Sequence, residues 1–201
     1  MNLSTMRMLV RRDLKDEDSS DYRWQDNEID RAISRALYEL SRYLPREMKA
    51  TIATMDGSRE IDVSSLTDRV SIDWVEFPVG KTPRQFQRFA VYQDTIMLIG
   101  AAEGDGESCY VYWGKIHTLD GSTSTVPGYL EDVLALGAAA YAVLAQAQLR
   151  TDAAGFGGEQ ADRDYLSWGN GMLKQFTAQL KRFGRGRKLK ISQFYQGDDA
   201  E

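Results

Sequence analysis

The chain has 201 residues, of which 42% are hydrophobic and 27% are charged, and its formal net charge is −5 at pH 7. These values predict a folded globular protein and exclude disorder over most of its length. The negative net charge argues against a protein whose whole surface wraps nucleic acid, because neutralising phosphates requires a basic face. The chain has a single cysteine, Cys109, which excludes an internal disulfide.

Two helices are predicted before Pro45. The first runs from about Ser4 to Leu14, and the second begins at Asp26, which can cap it, and is stopped by Pro45. Apolar residues of the second helix recur at the i, i+3, i+4, i+7 spacing of a buried helix face. These residues are Ile29, Ala32, Ile33, Ala36, Leu37, Leu40 and Leu44.

The period changes between about Ile52 and Ile116, where short stretches are rich in β-branched and aromatic residues and are separated by turn residues. Asp56-Gly57 predicts one turn, and Gly104-Asp105-Gly106 predicts a hairpin that joins the last two strands. The predicted strands lie at 60–66, 70–77, 85–92, 95–100 and 108–116.

Helical character returns at Pro127, which suits the first position of a helix, and an Ala-rich stretch continues to about Ala153. We expect this helix to be largely buried, because its many Ala residues make a thin rod that neighbouring elements can approach closely. The apolar run from Val133 to Leu149 is too rich in Ala and Gln to be predicted as a membrane span. A last helix is predicted from about Glu159 to Phe183. The stretch 181–190 then contains six basic residues and no acidic one.

The predicted fold class is therefore α+β and mainly α: a bundle of about four helices with an inserted small antiparallel β unit and an extended C-terminal tail. The helices before and after the insertion must pack together to bury their apolar faces. The expected boundaries are 1–46 and 121–184 for the bundle, 47–120 for the β unit and 185–201 for the tail.

The sequence contains few residues that could form a catalytic, metal or cofactor site. His117 is the only histidine, and a position at the surface or at the end of a strand explains it better than a metal ligand or a base does. Gly80-Lys81-Thr82 lacks the earlier glycine of a phosphate-binding loop, since Val75 stands there. We therefore expect no catalytic, metal or cofactor site, and we predict that the protein is not an enzyme.

Two segments remain as candidate contact sites. Tyr110, Tyr112 and Trp113 place bulky groups on both faces of one strand, which favours a two-sided core or a subunit contact over a nucleic-acid stacking platform. The basic run either forms a solvated helix end or acts as a docking arm, since 184–187 is rich in glycine and 189–195 resembles a strand.

The chain resembles the head-to-tail connector, or adaptor, proteins of tailed bacteriophages. The resemblance lies in the run from Arg23-Trp24-Gln25-Asp26 to Ile33, in Glu39-Leu40-Ser41-Arg42-Tyr43-Leu44-Pro45, and in Ser124-Thr125-Val126-Pro127 before the Ala-rich helix. The helix-β-helix order and the basic tail match as well, so the resemblance covers most of the chain.

This resemblance implies a virion protein at the head-tail junction that forms a ring, commonly of twelve subunits, under the portal protein. DNA would pass through the ring without sequence-specific binding, and a tail or tail-completion protein would bind another surface. The implied portal-docking residues are Arg185, Arg187, Lys188, Ile191, Phe194 and Tyr195. The implied subunit contacts are Tyr110, Tyr112, Trp113 and Tyr141.

A second hypothesis is a DNA-binding or DNA-packaging accessory protein that uses the basic C-terminal segment to contact phosphates. It predicts a salt-dependent DNA affinity that falls when Arg185, Arg187 and Lys188 are neutralised. The structural hypothesis predicts a homo-oligomer instead, with no cofactor and no membrane contact.

Overall fold

The computed structural model describes residues 1–100, 102–152 and 159–192, and the side chains of 1–100, 102–147 and 164–187. In this part of the chain four α-helices and seven strands form, which confirms the mainly helical α+β class. The chain divides into two compact units. We call residues 1–44 and 117–184 the helical unit, and residues 45–116 with the chain from Arg185 onward the β unit.

The helical unit is a bundle whose members bury one face each in a shared core. Its elements are α1 (Leu3–Leu14), α2 (Asp26–Tyr43), a 3₁₀ turn (Gly128–Leu130), α3 (Glu131–Asp152) and α4 (Glu159–Ser192), whose last turns belong to the β unit. The apolar face that the sequence predicts for α2 is buried at Ile29, Ala32, Ile33, Ala36 and Leu40. Side chains from the other three helices complete this core, among them Met6, Leu134, Phe176 and Leu180.

The segment before α2 is fixed by polar contacts to buried groups. Trp24 is 1% exposed, and its indole Nε1 donates a hydrogen bond to the Ala142 carbonyl of α3 at 3.2 Å. Asp16 accepts from the backbone N–H groups of Arg23 and Trp24, and it pairs with the buried Arg11 guanidinium at 2.7 Å. The Arg23-Trp24 sequence therefore anchors the start of α2 to both α1 and α3.

Small residues let α3 lie deep in the bundle. Ala138, Ala139 and Ala140 are fully buried, and Gly137 faces the ring of Phe176 on α4. The segment Gly128–Ala147 is long and apolar enough to cross a membrane, but 61% of this apolar stretch is buried inside the protein. This burial is typical of a core helix.

The β unit consists of two antiparallel sheets over one core. The strands are β1 (Arg46–Ala53), β2 (Glu60–Asp62), β3 (Arg69–Glu76), β4 (Phe86–Gln87), β5 (Phe89–Tyr92), β6 (Thr95–Leu98) and β7 (Ser108–Lys115). The four-stranded sheet has the order β1-β7-β3-β4 and the three-stranded sheet the order β2-β6-β5. Val75, Val111, Cys109, Ile96 and Leu98 are buried in the core of this unit.

The structure corrects the prediction that Gly104-Asp105-Gly106 makes a hairpin. The strands on either side of it lie in different sheets, since β6 pairs with β2 and β5 whereas β7 pairs with β1 and β3. The hairpin lies instead at Gln93–Asp94, where Tyr92 pairs with Thr95 and Gln93 has a φ of 52°. At Gly104 the backbone passes close to Met55, since a Cβ on residue 104 would lie 2.2 Å from the Met55 carbonyl oxygen.

Helix α4 also differs from its predicted end at Phe183. It continues through Gly184, Arg185 and Gly186 to Ser192, so residues 185–192 are helical where the sequence predicts an extended tail. Each glycine in a helix interior costs about 1 kcal/mol relative to alanine. The tertiary contact of Arg187 described below offsets this cost, and the rest of the predicted tail, 193–201, lies outside the described residues.

Candidate interaction surfaces

The end of α4 carries the residues that the sequence assigns to docking. Arg185 is exposed, whereas Arg187 is half-buried and its guanidinium contacts Asp73 and Ser71 of β3. Lys188 and Ile191 lie in the helix but their side chains are outside the description, and Phe194 and Tyr195 lie outside the described residues. Among the described docking candidates, Arg185 is thus available to a partner and Arg187 is engaged within the β unit.

The Arg187–Asp73 ion pair is shielded from water, with side-chain exposures of 14% and 7%. Removing one partner of a buried pair costs about 3–5 kcal/mol, because the other charge is left buried without compensation. The pair joins residues 114 positions apart in the sequence. It therefore fixes the last turns of α4 to the strand β3.

One face of the four-stranded sheet carries a cluster of half-buried aromatic rings: Trp74, Phe86, Tyr110 and Tyr112. The Trp74 and Tyr112 ring centroids are 5.9 Å apart in an edge-to-face arrangement, and Phe86 lies 6.3 Å from each. The Lys49 ammonium lies 3.3 Å from the centroid of the Tyr110 ring. Aromatic side chains are enriched in protein interfaces, so this aromatic face is a candidate contact surface.

The Tyr112 hydroxyl fixes this cluster by donating to the Glu76 carboxylate at 2.7 Å. Burial, followed by the hydrogen bond to Glu76, raises the pKa of Tyr112 to about 12. Glu76 itself is only 3% exposed. The ring of Tyr112 is therefore held in one orientation by a buried acceptor.

The structure separates the three aromatic residues of β7. Tyr110 and Tyr112 share the aromatic face, whereas Trp113 is 6% exposed and packs in the core with Val111 and Val75. Trp113 thus has almost no surface to offer a neighbouring subunit. Alternate residues of a strand point to opposite faces, so one face of β7 enters the core and the other carries Tyr110 and Tyr112, which are only half-buried.

Tyr141 lies apart from that cluster, on α3 of the helical unit. Its ring packs edge-on against Phe176 with centroids 6.4 Å apart, and the Arg35 guanidinium lies over it at 4.2 Å. Burial and then the nearby Glu39 carboxylate raise the pKa of Tyr141. The residue is half-buried, so it combines a packing role with a partly exposed edge.

His117 is a buried residue and not a surface one, with 4% exposure. Its backbone N–H donates to the Ser41 hydroxyl at 3.0 Å, and its ring nitrogens lie 3.1 Å from the Thr125 hydroxyl and 3.0 Å from the Leu44 carbonyl oxygen. These contacts tie the chain after β7 to the end of α2. Within the described residues no group of three or more His, Cys, Asp or Glu side chains could hold a metal ion.

Sequence reasoning missed an exposed apolar surface on the β5–β6 hairpin. Tyr92 is 77% exposed, and Val91, Met97 and Ile99 are each about half exposed. Strand β5 is an edge of its sheet and carries no charged residue, whereas edge strands are usually protected by lysine or proline. The uncharged sequence Phe89-Ala90-Val91-Tyr92 was the available signal.

A family model described as "SU10 adaptor protein" matches residues 1–188, which is nearly the whole chain. No curated protein matches the sequence. The chain therefore belongs to the SU10 adaptor protein family, a family of phage head-tail adaptors, as the sequence resemblance indicated. Membership assigns it a structural role as a virion component and favours that role over catalysis.

Proposed function

We propose that this adaptor forms a ring under the portal protein at the head-tail junction, joins the capsid to the tail and surrounds the DNA passage. The match to an adaptor family over residues 1–188 carries this proposal. A net charge of −5 favours a channel to which DNA does not adhere, since like charges repel.

The portal contact is assigned to the end of α4 and the residues that follow it. Arg185 is exposed there, and Arg187 anchors the helix to β3. Phe194 and Tyr195 supply aromatic groups of the kind that dominate interface energetics. In this arrangement the anchored helix presents the docking residues to the portal.

Subunit contacts within the ring are assigned to Tyr110, Tyr112 and Tyr141. Tyr110 and Tyr112 lie on the aromatic face, and Tyr141 offers its exposed edge beside Arg35. A tail or tail-completion protein would then bind a further surface, for which the exposed apolar β5–β6 hairpin is suited. Aromatic and apolar surfaces that rest in water in the free subunit would be covered in the assembly.

The mass of the purified protein tests this function. Light scattering is measured alone and with purified portal protein, and the same samples are imaged by negative stain. A ring, alone or on the portal, is the expected result. A chain that stays monomeric and does not bind the portal would overturn the proposal, and duplex DNA binding by that monomer would indicate an accessory protein instead.

Paired variants test the docking assignment. We expect Phe194→Ala with Tyr195→Ala, or deletion of the chain after Ser192, to leave the circular dichroism spectrum unchanged and to abolish portal binding. The control is Tyr38→Ala with Tyr92→Ala, which removes two rings that are 54% and 77% exposed elsewhere. Equal loss of portal binding in both pairs would contradict the assignment.

A further inference from the structure

Among the described residues, one face of α4 is exposed to solvent. Phe176 is 1% exposed and faces Gly137 of α3, and residues lie about 100° apart around a helix. Positions 174, 178 and 181 therefore lie on the side opposite Phe176, and all three are exposed. A shallow groove runs along this side, lined by Asn170, Leu173, Lys174, Thr177, Ala178 and Lys181.

This face is basic in an otherwise acidic protein. The segment from Asp164 to Gly184 contains three basic residues and one acidic residue, so the rest of the chain is more acidic than the net charge of −5 suggests. Lys174, Lys181 and Arg182 are exposed and form no ion pair among the described residues. Three cations thus point into solvent from one helix, with the partly buried Leu173 beside them.

An acidic corner of opposite character lies elsewhere in the helical unit, where α1 meets the start of α3. Asp13 and Asp132 are both exposed, and neither forms an ion pair within the described part of the chain. Burial, and then the Asp132 carboxylate, raises the pKa of Asp13, although Lys15 and Arg12 act in the other direction. The two carboxylates repel each other, so a cation from outside would relieve an unfavourable contact.

We propose that the basic face of α4 in one copy docks against the acidic corner formed by Asp13 and Asp132 in a second copy. Both surfaces belong to the helical unit of every copy, and they are different patches of opposite charge. Such a contact is head-to-tail, and it repeats around a closed ring when the rotation between copies closes. The inference rests on the proposed function and adds a charged contact between copies to the tyrosine contacts assigned above.

Charge complementarity favours a second copy over DNA as the occupant of this face. The groove contains partly buried Leu173 and the uncharged residues Thr177 and Ala178 between its cations, which suits a protein surface with both apolar and charged groups. A DNA-binding face would leave Asp13 and Asp132 without a cation. Pairing between copies satisfies both sets of charges at once.

Sedimentation velocity of the full chain at about 50 mM salt tests the contact, because charged surfaces are weakly screened there. The variants are Lys174→Glu with Lys181→Glu, Asp13→Lys with Asp132→Lys, and the chain that combines all four changes. If a lysine at the start of α3 impairs folding, the variant Asp13→Asn with Asp132→Asn replaces the lysine pair. The control, Arg31→Glu with Lys81→Glu, reverses two exposed cations outside both patches.

Each charge-reversed pair is expected to weaken self-association by about tenfold or more, since repulsion replaces attraction. The chain with all four changes should regain association, and the control should behave as the unaltered protein does. The same chains are imaged on the portal, where only the four-change chain and the control should form rings as the unaltered protein does.

Rings that form equally well with Lys174→Glu and Lys181→Glu would overturn this inference and leave the proposed function intact. Absence of any ring from the unaltered protein, in solution or on the portal, would overturn both. If the lysine variant associates normally but loses salt-dependent binding to a duplex DNA probe, the face contacts nucleic acid and the inference is wrong.

Discussion

Gly137 is the residue of α3 at which a single added methyl group should have the clearest effect. A Cβ at this position would lie 2.7 Å from both Cε2 and Cζ of Phe176, closer than carbon atoms approach in folded proteins. Phe176 is 1% exposed, so its ring is enclosed by the core. Gly137→Ala therefore forces α3 and α4 apart or displaces the ring.

The magnitude follows from two opposing effects. Alanine in a helix interior is favoured over glycine by about 0.8–1 kcal/mol, whereas overpacking a core costs about 1–3 kcal/mol. Gly171 of α4 supplies the matched control, because a Cβ there would meet no atom within 4 Å. Gly171→Ala should therefore stabilise the protein, and the two variants should differ by the packing cost alone, about 1–3 kcal/mol.

Urea unfolding followed by circular dichroism at low protein concentration measures this difference, since the helical signal comes mostly from the bundle. In thermal unfolding the same difference corresponds to about 2–4 °C per kcal/mol for a chain of this size. Combining Gly137→Ala with Phe176→Leu should recover part of the loss. A Gly137→Ala protein that is as stable as Gly171→Ala would refute close α3–α4 packing.

Three further predictions concern polar groups. Arg187→Ala should lower the free energy of unfolding by about 3 kcal/mol in the same urea titration. This value is the lower end for a buried pair, because the Arg187 side chain is 14% exposed. Arg185 is exposed, so Arg185→Ala should change the free energy of unfolding little. The phenol of Tyr112 has a pKa of about 12 in the folded protein and about 10 when unfolded, so stability should fall as the pH rises from about 10 to 12. Spectrophotometric titration should show a late-ionising tyrosine that Tyr112→Phe removes, and Glu76→Gln should lower the pKa of Tyr112, because the negative charge beside the phenol is removed. Hydrogen bonds from Thr123 and Ser122 lower the pKa of Asp120 to about 2. The contribution of this carboxylate to folding stability is therefore present above about pH 4 and is lost as the pH falls towards 2. NMR titration should show a midpoint near that pKa, and Asp120→Asn should make stability less dependent on pH in this acid range.

The bundle was predictable because its signals are local. In α2 the apolar spacing, the acidic first turn and Pro45 all agree, and the structure buries the predicted face. Strand β1 was missed entirely, because only alternate residues such as Met48 and Ala50 are partly buried and charged residues lie among the exposed ones. A strand with a weakly buried face gives little hydrophobic alternation, and its partner β7 lies about 60 residues away.

The candidate surfaces were less predictable, because they depend on contacts between distant residues. The alternation in β7 indicated bulky groups on both faces, but only the pairing with β1 and β3 shows that Tyr112 joins Trp74 while Trp113 enters the core. The glycines at 184 and 186 predicted a helix end, since propensity is a local property. The ion pair between Arg187 and Asp73 overrides that preference and is invisible in local sequence.

The continuous helix changes the energetics expected of portal docking. An extended, flexible segment would lose about 1–2 kcal/mol of backbone entropy for each residue that becomes ordered on binding. Residues 185–192 are already helical, and the Arg187–Asp73 pair fixes the helix within the β unit. The cost of ordering this segment is therefore met during folding of the subunit, so more of the interaction energy at Arg185 and beyond is available for affinity.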